Sequence, residues 1–210
     1  QAGLRRAGAA VAIERLAGQV ALFLVLAAGA LTVTLMPGGL TLPSWVMGLI
    51  GALLSVALIA MLAIGGAGQL PGRAGTAARD LRGALRVTLL APGALPRQVA
   101  LNLAITGANL AAFAFCAAAT GTMMSPVETA VLVPLILLTM ILPLTVSGWG
   151  LREGAAAGLF PLIGASAQAG LAASLAFGLM FLASTLPGLL VLLAQRRVNR
   201  PAPAAIQADP

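Results

Sequence analysis

The chain has 210 residues, of which 60% are hydrophobic and only 8% charged, and its mean hydropathy is +1.04. Those values exclude an ordinary soluble domain of this size and point to an integral membrane protein. The formal charge of +7 rests on twelve arginines that flank hydrophobic spans with hardly any aromatic residue among them, a pattern of membrane topology that argues against nucleic acid as a partner. With no histidine, and with Cys116 the one cysteine, zinc catalysis, a Ser-His-Asp triad and an internal disulfide are excluded, and no metal or cofactor is expected.

The first stretch, 1–18, carries Arg5, Arg6, Glu14 and Arg15 ahead of a long apolar run. The arginines either anchor the cytoplasmic end of a helix, with Glu14 as partner to one of them, or take part in a substrate site. From Leu16 to Gly72 no charge occurs for about 57 residues, far more than the ~20 of one crossing, so the chain must fold back. Pro37, Gly38, Gly39 and Pro43 supply the turn, which predicts spans at 19–36 and 44–64, with Trp45 as an interfacial anchor.

The segment 65–97 is the longest polar one, with Arg73, Arg79, Arg82, Arg86 and Arg97 against Asp80 alone, and is expected on the cytoplasmic side. Within it, 76–90 can form an amphipathic helix lying in the interface, or a plain surface connector. The next span is 98–120, where Asn102, Thr106 and Asn109 share one side, suited to helix-to-helix hydrogen bonding or to lining a polar path. A turn at 121–126 follows, and Glu128 opens the next helix, where a carboxylate suits the positive N-terminal end.

The following helix, 127–142, covers only about 24 Å against a hydrocarbon core of about 30 Å. It leads into 141–155, ILPLTVSGWGLREGA, the one place where opposite charges interrupt an apolar region. Charges there cost about 2.5–3.5 kcal/mol each at a helix centre and so signal function in a membrane. With the arginine-rich segments inside, this motif must be reached from the outer face and left toward it again, which puts it in the inner half or at the inner surface. The return, 153–164, is a half-length helix interrupted at Pro161, hence a re-entrant or broken element, tolerated only when buried in protein or lining a wet cavity. Gly150, Gly154 and Gly158 recur every four residues, so one face of that return can approach a neighbour closely. The last span, 166–194, is overlong, with Pro187 and Gly188 as the expected bend. Arg196, Arg197 and Arg200 then hold a cytoplasmic end. The expected fold is thus all-α and polytopic, with about five spans plus the re-entrant element, a membrane domain over 1–197 and a disordered tail over 198–210.

Pro143, Gly148, Trp149, Gly150, Arg152, Glu153 and Gly154 resemble the P-x-S-x-x-G-W/L-G-x-R-E-G signature of the membrane region of lysylphosphatidylglycerol synthases and their stand-alone, flippase-like relatives. Thr145 departs from it, where that family often has Ser or Ile. The stretch 172–190 resembles the family's closing helix with its Leu-Pro-Gly, and Glu14 with Arg15 resembles an acid–Arg pair at the start of a helix. The chain begins at Gln1 without a methionine or a signal peptide and reads as a fragment lacking amino-terminal helices that the family carries. The resemblance implies a bacterial inner-membrane protein that handles an amphiphile: aminoacylated phosphatidylglycerol in the two-domain synthases, hopanoids or polyprenyl-linked glycans among stand-alone relatives.

Three functions compete on these grounds. A lipid translocator would use Arg152 on an anionic headgroup, Glu153 with Glu14 and Arg15 for charge balance, and the N–H groups around Gly148, Gly150 and Gly154 as further donors. A membrane-embedded enzyme lacks a convincing acid–base pair beyond Glu14 and Glu153, and direct ATP use is disfavoured because no Walker P-loop is present. A scaffold for a lipid-modifying partner enzyme would use Arg152 and Glu153 only to lock the helix break.

Overall fold

The computed structural model describes residues 2–35, 40–67, 75, 76, 79, 83, 93–141 and 148–198. Six α-helices appear there: α1 (Ala2–Leu35), α2 (Ser44–Ala67), α3 (Ala94–Ala119), α4 (Pro126–Leu138), α5 (Leu151–Leu159) and α6 (Ala167–Val198). Short 3-10 turns extend α4 over Thr139–Ile141 and α5 over Phe160–Ile163. No strand occurs among the described residues. The expected turn at 37–39, most of the amphipathic stretch 76–90, residues 143–147 of the motif and the tail 199–210 lie outside the described residues.

Four helices contain apolar segments long enough to cross a membrane: Arg15–Leu35, Ser44–Ala63, Ala94–Ala119 and Ala167–Gly188. A shorter apolar helix, Pro126–Ile141, is the fifth. The chain is therefore an all-α, multi-pass membrane protein. Helices α1, α2 and α3 extend beyond the sequence-predicted spans, because the apolar limits used to place spans are not helix limits. Ala, Arg and Leu before Arg15 propagate α1 as readily as the apolar run does.

Local chemistry ends and starts these helices at identifiable residues. Helix α4 begins in a capping box: the Ser125 N–H donates to Glu128 Oε2 at 2.6 Å, and the Glu128 N–H donates to Ser125 Oγ at 3.3 Å. Glu128 is thus the cap-region carboxylate that its position predicts. Pro126 occupies the first turn, where its missing N–H is harmless. Pro134, by contrast, is inside α4 and deprives the Ala130 carbonyl of its usual donor four residues on. Helix α1 approaches at that place through Gly29, where an added Cβ would be 3.0 Å from Ala130 O and 2.9 Å from Val131 Cγ2. A wider residue would not fit.

Helices α1, α3, α4 and α6 pack around a common core, α5 wedges between α4 and α6, and α2 packs on α1. Leu26 and Ile50 join the core from α1 and α2, Val131, Leu132 and Ile136 from α4, and Phe113, Phe160 and Phe177 from the outer three elements. The three phenylalanines meet with ring centroids 5.4 Å apart for Phe113 and Phe177 and 6.4 Å for Phe113 and Phe160. They close one end of the seam between α3, α5 and α6, directly beside the charged residues of α5.

Candidate functional site

Helix α5 is nine residues long and starts where two left-handed glycines turn the chain. Gly148 has φ +78° and Gly150 φ +89°, a region that other residues enter only under strain. At Gly148 there is also no room, since a Cβ would be 2.6 Å from Met140 Cγ at the end of α4. The turn lets the chain double back so that α5 lies against both α4 and α6. Glu153, at the third position of α5, accepts the Gly150 N–H at 2.5 Å through Oε2, so its carboxylate caps the helix that carries it.

The other carboxylate oxygen takes part in a buried network. Arg152 Nη2 donates to Glu153 Oε1 at 2.5 Å, Arg152 Nε to Ser174 Oγ at 3.0 Å, and Nη2 also to the Ser174 carbonyl at 3.2 Å. Ser174 in turn donates its hydroxyl to Glu153 Oε1 at 3.3 Å. Arg152 is 2% exposed, Glu153 6% and Ser174 0%. The guanidinium lies between two rings, with its Cζ 5.3 Å from the Trp149 centroid and 5.5 Å from that of Phe177. These bonds to Ser174 tie the short helix α5 to the long helix α6, and Arg152 and Glu153 form a buried ion pair. The pair is charge-neutral and almost wholly buried, its bonds run through Nε and Nη2 of the guanidinium, and half-exposed Trp149 lies at its edge.

Helix α6 makes room for this. Gly170, Ser174 and Gly178 recur every four residues along one face. An added Cβ at Gly170 would collide with Ala156 O and lie 2.9 Å from Phe160 Cγ; at Gly178 it would collide with Arg152 Nη2 and lie 3.1 Å from Trp149 Cη2. This corrects the expectation for the glycines of α5. Neither Gly154 nor Gly158 has any atom within 4 Å of a built Cβ, so close approach comes from the small residues of α6, against which α5 presents larger side chains.

Ser174 and Gly178 stand seven and eleven residues into the apolar segment Ala167–Gly188. At about 1.5 Å per residue that is about 10–17 Å from its start, near the middle of that segment.

Of the sequence-predicted site residues, the structure brings together Arg152, Glu153 and Gly150, with Gly148 and Gly154 in the same turn and helix. Gly150 spends its N–H on Glu153 and so is engaged within the protein. Arg15 is exposed on α1 at the start of its apolar span and makes no ion pair with Glu153. Glu14 belongs to the backbone of α1, and its side chain lies outside the described residues. Asn102 donates to the Gln98 carbonyl of its own helix at 2.8 Å. The helix-to-helix bonds expected of Asn102, Thr106 and Asn109 do not form among the described residues. Sequence reasoning missed Ser174, Phe177 and Gly178, although a lone serine flanked by glycines at four-residue intervals in an apolar helix was a readable signal.

Comparison with protein families matches residues 1–188 to the family described as the lysylphosphatidylglycerol synthase TM region. Comparison with curated proteins and with solved structures gives no match.

Proposed function

Because the chain belongs to the lysylphosphatidylglycerol synthase TM-region family, a membrane family with a lipid-related role, we propose that it moves an amphiphilic lipid between leaflets without catalysing a reaction on it. The observation that carries this reading is the position of Arg152, Glu153 and Ser174: a guanidinium, a carboxylate and a hydroxyl together at mid-span, on a half-length helix held to α6 by this network. Ionisable groups at such depth are expensive and are found where polar cargo passes. In the closed arrangement Arg152 is occupied by Glu153 and Ser174. Separation of α5 from α6 would release Nε and Nη2 together, two parallel donors that suit a headgroup phosphate. Glu153 keeps its tie to the Gly150 N–H and so stays with α5 when Ser174 is lost.

The alternative, a non-transporting scaffold, draws on the same network: a buried guanidinium bonded through Nε and Nη2 to Glu153 and Ser174 can be a structural lock. The two separate on one comparison. For a lock, activity falls only in step with stability: Arg152→Ala, which leaves Glu153 unpaired at this depth, costs about 3–5 kcal/mol, and Arg152→Lys loses no more activity than its stability accounts for. For a headgroup site, Arg152→Lys keeps the charge and most of the stability yet slows lipid movement at least ten-fold, since an ammonium cannot reproduce the planar fork. The measurement is lipid scrambling in proteoliposomes beside thermal unfolding for Arg152→Lys, Arg152→Ala and Glu153→Gln. Folded variants that move lipid at the wild-type rate would end the proposal.

A further inference from the structure

Away from the charged network, α1 and α3 carry a second group of polar side chains, one of which, Gln19, keeps a buried oxygen without a partner. Gly18 of α1 faces Asn102 of α3, where a built Cβ would be 3.9 Å from Asn102 Oδ1. Next to Gly18, Gln19 has a buried Oε1 with no hydrogen-bond partner. On the same side of α3 as Asn102 follow Thr106, which is buried, and Asn109, which is half-buried, at successive intervals of four and three residues. Four residues beyond Asn109 stands Phe113, in contact with Phe177 and Phe160. Polar atoms at a membrane seam are tolerated when another helix or water satisfies them. Among the described residues no side-chain bond crosses between α1 and α3, and Asn102 turns its amide to its own helix. The remaining partner is water.

We infer that the seam between α1 and α3 is a hydrated vestibule for a polar lipid headgroup, open at its Arg15 end and closed by Phe113 against the Arg152 network. Its lining suits such cargo. Gln19, Asn102, Thr106 and Asn109 offer neutral donors and acceptors, and exposed Arg15, one turn before Gly18, stands at the mouth as a cation for phosphate. The phenylalanine contact keeps water from Arg152, whose pairing is stronger for being dry. The cargo half of the inference rests on the translocator reading; the hydration does not.

The test uses the full chain in a Cys116→Ala background, with single cysteines at Gln19, Asn102, Thr106 and Asn109, and at Leu101 and Ile105 on the exposed side of α3. A cationic, membrane-impermeant methanethiosulfonate reagent is applied to proteoliposomes. The seam positions react at least ten-fold faster than Ile105→Cys, which faces lipid at similar depth. Equal rates at Asn102→Cys, Thr106→Cys and Ile105→Cys would overturn the vestibule. Should Thr106→Cys fail to assemble, Gln19→Cys on the facing helix decides the same point. The cargo half is read from Gln19→Leu combined with Thr106→Val, which dries the seam: scrambling falls at least ten-fold while the melting temperature holds or rises, since the unsatisfied Gln19 oxygen has been removed. Unchanged scrambling in that variant would remove the headgroup from the seam. If the wild-type chain moves no lipid, the translocator reading fails while the labelling result still decides whether the seam is wet.

Discussion

At the residue scale the chain concentrates its buried polar chemistry on Arg152, Glu153 and Ser174, and the steric room for it comes from a missing side chain opposite. Gly178 is the clearest case. A Cβ there would collide with Arg152 Nη2 and lie 3.1 Å from Trp149 Cη2, so the guanidinium would have to leave its place between the rings. Gly178→Ala is expected to lower stability by about 1–3 kcal/mol, the usual penalty for overpacking. Gly188→Ala, in the same helix with nothing within 4 Å, should leave the melting temperature unchanged. Ser174→Ala tests the network without adding bulk. It strips Arg152 Nε of its acceptor in a buried site and should cost about 1–3 kcal/mol, read by thermal unfolding in detergent. A Ser174→Ala protein as stable as wild type would mean that water replaces the hydroxyl and that the site is wetter than its burial implies.

At the element scale the two short helices decide the architecture. Helix α4 with its 3-10 extension ends after about 24 Å, too short for a full crossing, and α5 is shorter still. Together they form a pair of short, packed helices held by α1 on one side and α6 on the other. Each of those contacts depends on a glycine: Gly29 of α1 against the Ala130 carbonyl left without its donor by Pro134, and Gly170 of α6 against the Ala156 carbonyl. Gly29→Ala should therefore push α1 off α4 and lower stability by about 1–3 kcal/mol. Gly107→Ala on α3, where nothing lies within 4 Å, should be neutral or slightly stabilising, because alanine is the better helix former. Thermal unfolding of both variants in the same detergent checks the pair, and equal melting temperatures would show that the α1–α4 contact adjusts without strain.

At the scale of the whole molecule, the described residues form four long apolar helices and two short ones. Arg73 to Arg97 and Arg196 to Arg200 fall on the same side if α2, α3 and α6 each cross once and the short pair returns to the side it left. Cysteines introduced at Leu40 and Gly75 in a Cys116→Ala background should then be labelled from opposite sides of the membrane, with Gly75→Cys reached from the cytoplasm. Labelling of both from the same side would refute the arrangement. The matched family region is the membrane part of the synthases, the sequence has no histidine, and both carboxylates whose side chains are described, Glu128 and Glu153, are engaged in caps or an ion pair. The purified protein should accordingly transfer no aminoacyl group from tRNA to lipid, as checked by chromatography of the lipid fraction.

Much of this was legible from the amino-acid order alone. Apolar run lengths set the membrane class and the places of the long helices, because a helix must be long enough to span hydrocarbon; of about five expected spans, four are long enough among the described residues and Pro126–Ile141 is shorter. Glycines and adjacent charges marked the helix break, and Glu128 announced a cap-region carboxylate, since both signals are local in the chain and act through the backbone beside them. What the order of residues could not decide was which side chains meet across helices. Ser174 finds Arg152 22 residues away, Gly178 makes room for it, and Asn102 turns to its own helix, all through the rotation and register of α3 and α6. Those angles are set by the packing of whole faces such as Phe113, Phe160 and Phe177, and no periodicity within a single helix specifies them. For the same reason, close approach was expected from the glycines of α5, while the tertiary structure provides it through those of α6.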